Sequence, residues 1–560
     1  MGRDDKTRTA LLVDTTTGAT IAFGDAAVQK YNRMAEEAEC APVAFFELFK
    51  MQLKDPHTDV MRMQVEAKDV LPRRPAHEPQ PTYRLPAVTV VAKVLAAVRE
   101  DAAREVHKLT GGNLADLAVF WAVTVPAIWP DESKAVMRRA ACEAGLTATE
   151  KAANLALVLE PEAALLATVP ELAAELRSRI VPGAKVVVVD CGGGTADITS
   201  VVVKSVAPLR VEETASADGG AWGSTMVDAA FRNFLKEIIG EALTKVPHHT
   251  MSNLMEKWVA HKHMVGVNPS EDTAKLPLGE LLDELAAWAD YKASDFEAAL
   301  ALYNTSKALP AASVVHLSSK GRNLTIPATL VHSFFHDVIT NTVEQAGRLL
   351  HSGGGAAASF ILVAGGFAAS KLLQDAMRAA FERDGCTVAI PRHPGCVVNT
   401  GAALYVLQPA VDKRAMRWSY AIEGVEPFNP AVHEPHLTRR EADGKEYVRV
   451  LRPFVQRDEL VPTGHAVVID LKPLAPDTVT IGVELFRTKD KIPDFRKDPT
   501  VIRAVVVPPG VDAGKNLAVP KSARAGAMRV KPGLLGAPVG KRSVKLTVTF
   551  GGSEIKLSAV

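Results

Sequence analysis

Asp190 and Asp197 bracket three glycines and a threonine in VVVVDCGGGTADITSVVV, residues 186–203. Residues of these types at this spacing suit phosphate chemistry. Gly192, Gly193 and Gly194 carry no side chains, so their N–H groups can approach an anion closely and take positive φ where a cradle needs it. Thr195 follows them. The flanking carboxylates are placed to bind the waters of Mg²⁺, a hard cation that keeps much of its water shell. A glycine triplet alone would mean only a hairpin turn, and the aspartates at both ends argue for more.

The elements that must position these residues are legible from pattern. Two β-branched runs joined by the glycines predict a strand, a tight turn and a returning strand. Upstream, strands are expected at 9–14 and 20–23, a proline-rich loop at 69–86, a helix at 88–108 and a strand at 117–125. A helix then starts at Pro130–Asp131 and stops at Gly145. The strand 155–159 ends at Glu160. Downstream, glycines at 219–223 precede an amphipathic helix, 360–364 is a strand turned by Gly365 and Gly366, and 371–381 is a helix. From Arg417 the pattern changes to short alternating strands at 447–451, 465–471, 479–486, 501–507, 544–550 and 555–560, interrupted by a Pro-, Gly- and Lys-rich stretch at 508–540.

These motifs, in this order, resemble the DnaK-type (seventy-kilodalton heat-shock) chaperones of the actin-like ATPase superfamily. DCGGGTAD is similar to the second phosphate motif, IAFGDAAVQKY (21–31) to a segment downstream of the first phosphate loop, AVTVPAIWP (122–130) and EPEAA (160–164) to the strand and connecting motif of the first lobe, and VAGGF (363–367) to the adenosine motif. The V-A-G-G-F and F-E-x-F-K-M variants look most like the divergent heat-shock-protein-A-twelve branch. The resemblance implies an α/β, actin-like (ribonuclease-H-like) two-lobed nucleotide-binding domain followed by a smaller all-β domain. Its expected limits are lobe I at 1–180, lobe II at 181–390, a return helix and linker at 391–416, and the β-rich domain at 417–560. The first phosphate hairpin is expected to be missing, because Thr16 stands where DTTTG (14–18) would need its glycine and the GDAA segment follows too soon.

The same resemblance implies site roles. Glu160, Asp190 and Lys50 are the catalytic candidates, with Asp190, Asp197 and Glu160 toward Mg²⁺. Gly192–Thr195, Gly223, Ser224, Lys262, Gly365 and Gly366 are the candidates for holding ATP or ADP. Gly223 and Ser224 would offer N–H groups to phosphate. Val259, His263 and Gly395 depart from the family's adenosine contacts, which weakens the nucleoside side. Lys50 also reads as a solvated lysine, and Glu162 as a first-turn helix acid.

Composition limits the alternatives. With 47% hydrophobic residues, 23% charged residues and net charge +1 over 560 residues, a multidomain globular chain is expected, without the basic excess of a nucleic-acid binder. The five cysteines include no CxxC pair, and neither a signal peptide nor a membrane span is expected, which fits a cytoplasmic protein. His332 and His336 share helical spacing and His261 and His263 form H-x-H, but the glutamate of an H-E-x-x-H zinc site is lacking. The function expected is an ATP-binding, chaperone-like protein with weak or absent hydrolysis. Its partners would be adenine nucleotide and extended peptides or client proteins. A nucleotide-independent scaffold and a small-molecule kinase of the same superfamily are the alternatives.

Overall fold

The run Ala10–Val13 and the residues around Phe45 and Phe46 each offer two apolar faces, and they meet as neighbouring strands. The computed structural model describes residues 6–37, 41–54, 63–74, 78–150, 152–308, 310, 313–318, 322–352, 359–382, 385–430, 438–440, 444–471, 481–488, 502–503, 527–530, 544–551 and 554–559. Strand β1 (Ala10–Asp14) pairs antiparallel with β2 (Thr20–Phe23) and β3 (Val43–Glu47), and β3 pairs with β4 (Asp69–Leu71). Leu12 and Phe45 pack under helix α1 (Asp25–Glu36) through Val28 and Tyr31, while Leu11, Val13 and Phe46 face the opposite core. Asp14 Oδ1 accepts the Thr16 and Thr17 N–H groups at 2.8 Å, so DTTTG is an Asx turn joining β1 to β2. The expected loop 69–86 is corrected at both ends: β4 is buried, and Arg84–Pro86 pairs with Gln64–Glu66.

Helix α2 (Ala87–Thr110) ends at Gly111, whose φ of 71° is the left-handed stop. Strands β5 (Trp121–Val125) and β6 (Leu155–Leu159) pair in parallel, with α3 (Asp131–Glu143) between them and α4 (Glu160–Glu171) after them.

The largest sheet is built on β7 (Lys185–Cys191), buried along its whole length, and β8 (Ala196–Val206). Val187, Val189 and Ile198 face one core, and Val186, Val188 and Val201 face another, the period-2 alternation of a strand covered on both sides. β9 (Leu209–Glu213) and β10 (Asp218–Gly220) both pair antiparallel with β8. On one face lie α5 (Ser224–Ile239), α6 (His248–Lys262), α7 (Ala328–His351) and, after β11 (Ser359–Ala364), α8 (Lys371–Phe381). Phe231 and Trp258 stack there with ring centroids 4.4 Å apart. The other face is closed by α4 and, after β12 (Thr387–Ala389), by α9 (Val397–Leu407). β11 runs parallel to both β7 and β12.

Residues 411–416, expected as a linker, are corrected by their pairing. Strand β13 (Val411–Ala415) runs parallel to β9. Beyond it β14 (Ser419–Pro427) and β15 (Glu446–Val455) form an antiparallel pair, and β16 (Leu460–Pro462) returns to pair with β13. The sheet order is therefore β12-β11-β7-β8-β9-β13-β16, with β10 beside β8. The alternating strands expected later are β17 (His465–Leu471), β18 (Ile481–Thr488), β19 (Val544–Gly551) and β20 (Glu554–Ala559). β18 pairs with β14, and β17 and β20 flank β19. Of 501–540, only Ile502–Arg503 and Ala527–Val530 are described, both strands against β18, and Gly353–Gly355 lies outside the described residues. The whole is a mixed α/β fold with several sheets. No helix of the described residues is long and apolar enough to cross a membrane.

Candidate functional site

Antiparallel register places Asp190 directly across the ladder from Asp197. Like charges so placed repel, and these two are 4% and 1% exposed. Burial first, and then the charge of Glu160, raise both carboxyls above the ordinary aspartate range. Asp197 Oδ1 accepts the Ile128 N–H at 3.0 Å, and the Thr195 hydroxyl helps to steady the charged form.

The turn itself is closed by the Gly192 N–H donating to Thr195 O at 2.9 Å. None of Gly192, Gly193 and Gly194 takes positive φ, so the freedom expected of them is unused. Clearance is what the turn requires: a Cβ on Gly194 would overlap Met51 Sδ, and one on Gly223 would overlap the Gly193 carbonyl. A second correction follows from this close approach. The Gly223 and Ser224 N–H groups expected to meet phosphate donate to Gly194 O at 3.3 Å and Gly192 O at 3.2 Å, and the Thr225 N–H donates to Gly193 O at 2.8 Å. The first turn of α5 braces the glycine turn, and these donors are already committed.

Glu160 begins α4 with Pro161 behind it, where an acid suits the helix N-terminus. Its Oε1 lies 2.7 Å from Lys50 Nζ, which sits on the turn Phe49–Lys54 after β3 and 5.8 Å from the centre of the Trp129 ring. Desolvation opposes charge on Lys50, but Glu160, with Asp197 and Asp190 behind it, holds the ammonium above its usual pKa. Gly365 has a φ of 86°, and a Cβ there would overlap both Cys191 O and Asp190 Oδ1, so only glycine lets this turn close over the aspartate. Gly366 and Gly395 both lie against the Lys6 side chain: a Cβ would stand 3.3 Å from Lys6 Nζ at Gly366 and 3.3 Å from Cε at Gly395. Lys262 is buried, ion-pairs with Asp228 at 2.7 Å and donates to Ser224 O at 3.2 Å, so its charge is spent between α6 and α5.

A cavity of about 510 Å³ opens over this turn. Lys50, Glu160 and Gly192–Thr195 line one side, and Thr225, Asp228 and Arg232 of α5 with Met255 and Val259 of α6 line the other. Asp190, Asp197, Gly365 and Gly366 stand behind the turn. Three buried acids, two of them raised by burial first and by the charge of Glu160 next, form a donor set that a hard dication would relieve, and oxygen ligands fit Mg²⁺. Among the described residues, no group of three or more His, Cys, Asp or Glu side chains is arranged to hold a metal unaided, so Mg²⁺ here would depend on water and ligand oxygens as well. His332 turns to Asp272 at 2.6 Å and His336 to Asp337 at 3.1 Å, so their shared spacing does not make a common site.

Sequence reading missed Lys6, Arg8, Asp228, Arg232 and Glu256 on the cavity wall. For α5 a signal existed: Thr225, Asp228 and Arg232 follow helical spacing, and the polar stripe they form faces the cleft. Lys6 belongs to no motif. Glu162, beside Glu160, pairs with Arg414 of β13 and is a structural acid.

No family model matches the chain. The human protein named Heat shock 70 kDa protein 12B is 27% identical to it over 622 aligned positions, covering 99% of this chain and 83% of that protein. Heat shock 70 kDa protein 12A of human is 24% identical over 85% of this chain and 74% of its own length, and the mouse protein of that name is 24% identical over 96% and 81%. Similarity on that scale, running through both the α/β elements and the later strands, makes this chain a divergent relative of the heat shock 70 kDa protein 12 branch.

Proposed function

We propose that the cavity binds an adenine nucleotide with Mg²⁺ and that the protein is chaperone-like, hydrolysing ATP slowly or not at all. The observation that carries this reading is the meeting of the glycine turn, Glu160 and Lys50 on one cavity, with the Asp190–Asp197 pair beneath it. The relatives' heat shock 70 kDa names point the same way. Gly192–Thr195 would cradle phosphate, and Glu160, Asp190 and Asp197 would hold the hydrated Mg²⁺. Bound there, the ion would offset phosphate charge. Catalysis of phosphoryl transfer is mostly positioning and charge stabilisation, and losing one preorganised set of donors lowers rate by about 10² to 10³. Here the N–H groups of Gly223 and Ser224 are committed, and Lys262 is tied to Asp228. Affinity therefore survives better than rate.

The strands from Arg417 onward are proposed to form the all-β part that takes extended peptide or client protein by strand addition, and a cytoplasmic location goes with this reading. The committed donors and Lys262 also favour a second reading, a scaffold that needs no nucleotide. Isothermal titration with ATP and ADP, with and without Mg²⁺, followed by a phosphate-release assay, tests both. Binding that needs Mg²⁺ with slow turnover is expected. Turnover as fast as an intact DnaK-type ATPase would refute the slow-hydrolysis reading, and absence of nucleotide binding would favour the scaffold.

A further inference from the structure

Most charges on the cavity wall are paired, and three are not: Lys6, Arg232 and Glu47. Lys50 is neutralised by Glu160 at 2.7 Å, Arg8 by Asp25 at 3.2 Å and Glu256 at 3.1 Å, and Asp228 by Lys262 at 2.7 Å. Lys6 and Arg232 also line the cavity, and neither makes an ion pair or hydrogen bond with another described residue. Glu47 is the remaining acid on the wall. Burial raises its carboxyl, and its nearest ion-pairing atom is His248 Nε2 at 3.9 Å, on a ring that burial keeps neutral with a pKa of about 3. Arg232 is near enough for Glu47 to feel its charge, yet no ion pair forms between them.

The wall carries as many acidic as basic side chains, so its recognition element for an anion is the pair of cations left without a partner, not a net charge. Lys6 stands at the glycine end, where its ammonium touches Gly366 and its charge is felt by Asp190. Arg232 projects from α5, two turns along from Thr225, whose hydroxyl donates to Gly193 O at 2.9 Å. Lys6 thus stands at the glycine end of the cavity, and Arg232 lies farther along the cavity wall, where Glu47 and His248 feel its charge.

We propose that Lys6 and Arg232 are ligand-binding residues that hold the phosphates of the cavity's occupant, so that the site selects a polyphosphate over an uncharged nucleoside. The proposal rests on the nucleotide reading for the identity of the base and is independent of it for the charge. A charge-assisted hydrogen bond to phosphate is worth about tenfold or more in affinity.

The test is isothermal titration of the full chain with ATP, pyrophosphate and adenosine, using the wild type, Lys6→Gln and Arg232→Gln, each checked for an unchanged melting curve by circular dichroism. Each variant is expected to weaken ATP and pyrophosphate about tenfold or more, to flatten the salt dependence of binding, and to leave adenosine within about twofold. Lys6→Arg and Arg232→Lys should retain most of the affinity. Wild-type ATP affinity in either Gln variant overturns the assignment, as does an equal loss for adenosine and ATP. Pyrophosphate binding that is lost in both variants, with no preference for ATP, would uphold the assignment and remove the adenine reading. A wild type that binds none of the three would remove both.

Discussion

At Asp190 the fold and the proposed chemistry pull in opposite directions. Packing it against Gly365 and opposite Asp197 removes water from a charge that Mg²⁺ would need. In the absence of metal, Asp190→Asn keeps the shape and drops the charge, so the variant should unfold at higher urea at neutral pH, by about 1 kcal/mol or more. Because the folded carboxyl titrates above its unfolded value, its favourable contribution is complete in acid and is lost as pH rises. The wild type should therefore lose more stability than the variant between pH 5 and pH 8, and urea midpoints at those two pH values check it. The same variant should abolish the dependence of nucleotide affinity on Mg²⁺. Asp190 could be read from sequence because the chemistry and the turn are adjacent in the chain. Lys6 and Arg232 could not, because their role depends on which neighbouring charges are already paired, and pairing is a property of the assembled walls.

Elements with local causes were the most legible. β-branched alternation marked β7 and β8, and Pro130 and Gly145 marked the ends of α3. Val411–Ala415 failed for an identifiable reason: VDKRA is charged in the middle and reads as a linker until β9 and β16 supply its hydrogen bonds. Glu213, at the end of β9, accepts the Ala415 N–H at 2.7 Å, and burial pushes its carboxyl up to about 8. Its contribution is present in full below its unfolded pKa and is lost as pH rises through about 8. The melting temperature is expected to fall between pH 6 and pH 9, with a shallower slope in Glu213→Gln, as scanning calorimetry would show. On the opposite side of the sheet, α4 and α9 cross so closely that a Cβ on Gly401 would overlap the Ala163 carbonyl. Gly401→Ala should lower stability by about 1–3 kcal/mol in urea denaturation, and since α4 carries Glu160 it should also disturb ligand affinity.

Over the whole molecule, a buried charge cluster joins α3 to the C-terminal strands. Arg487 of β18 has no exposure, lies 2.9 Å from Glu132 and 3.8 Å from Asp131, and stacks 4.8 Å from the centre of the Trp418 ring. The Tyr420 hydroxyl donates to Asp131 at 2.9 Å. Removing one side of such a cluster strands the other, so Arg487→Met should cost about 3–5 kcal/mol, and adding Glu132→Gln should recover part of it in a double-mutant cycle. The partners come from distant parts of the chain, and no local pattern in the sequence could have announced them. The division expected at Arg417 is crossed by the sheet itself, because β16 lies beyond it and pairs with β13 before it. A chain shortened after Ala415 would end with β13 intact and its outer backbone groups bare. Exposed strand edges recruit other strands, so such a fragment should gather into oligomers whose sedimentation coefficient grows with concentration, and adding charge along Val411–Ala415 should keep it dispersed.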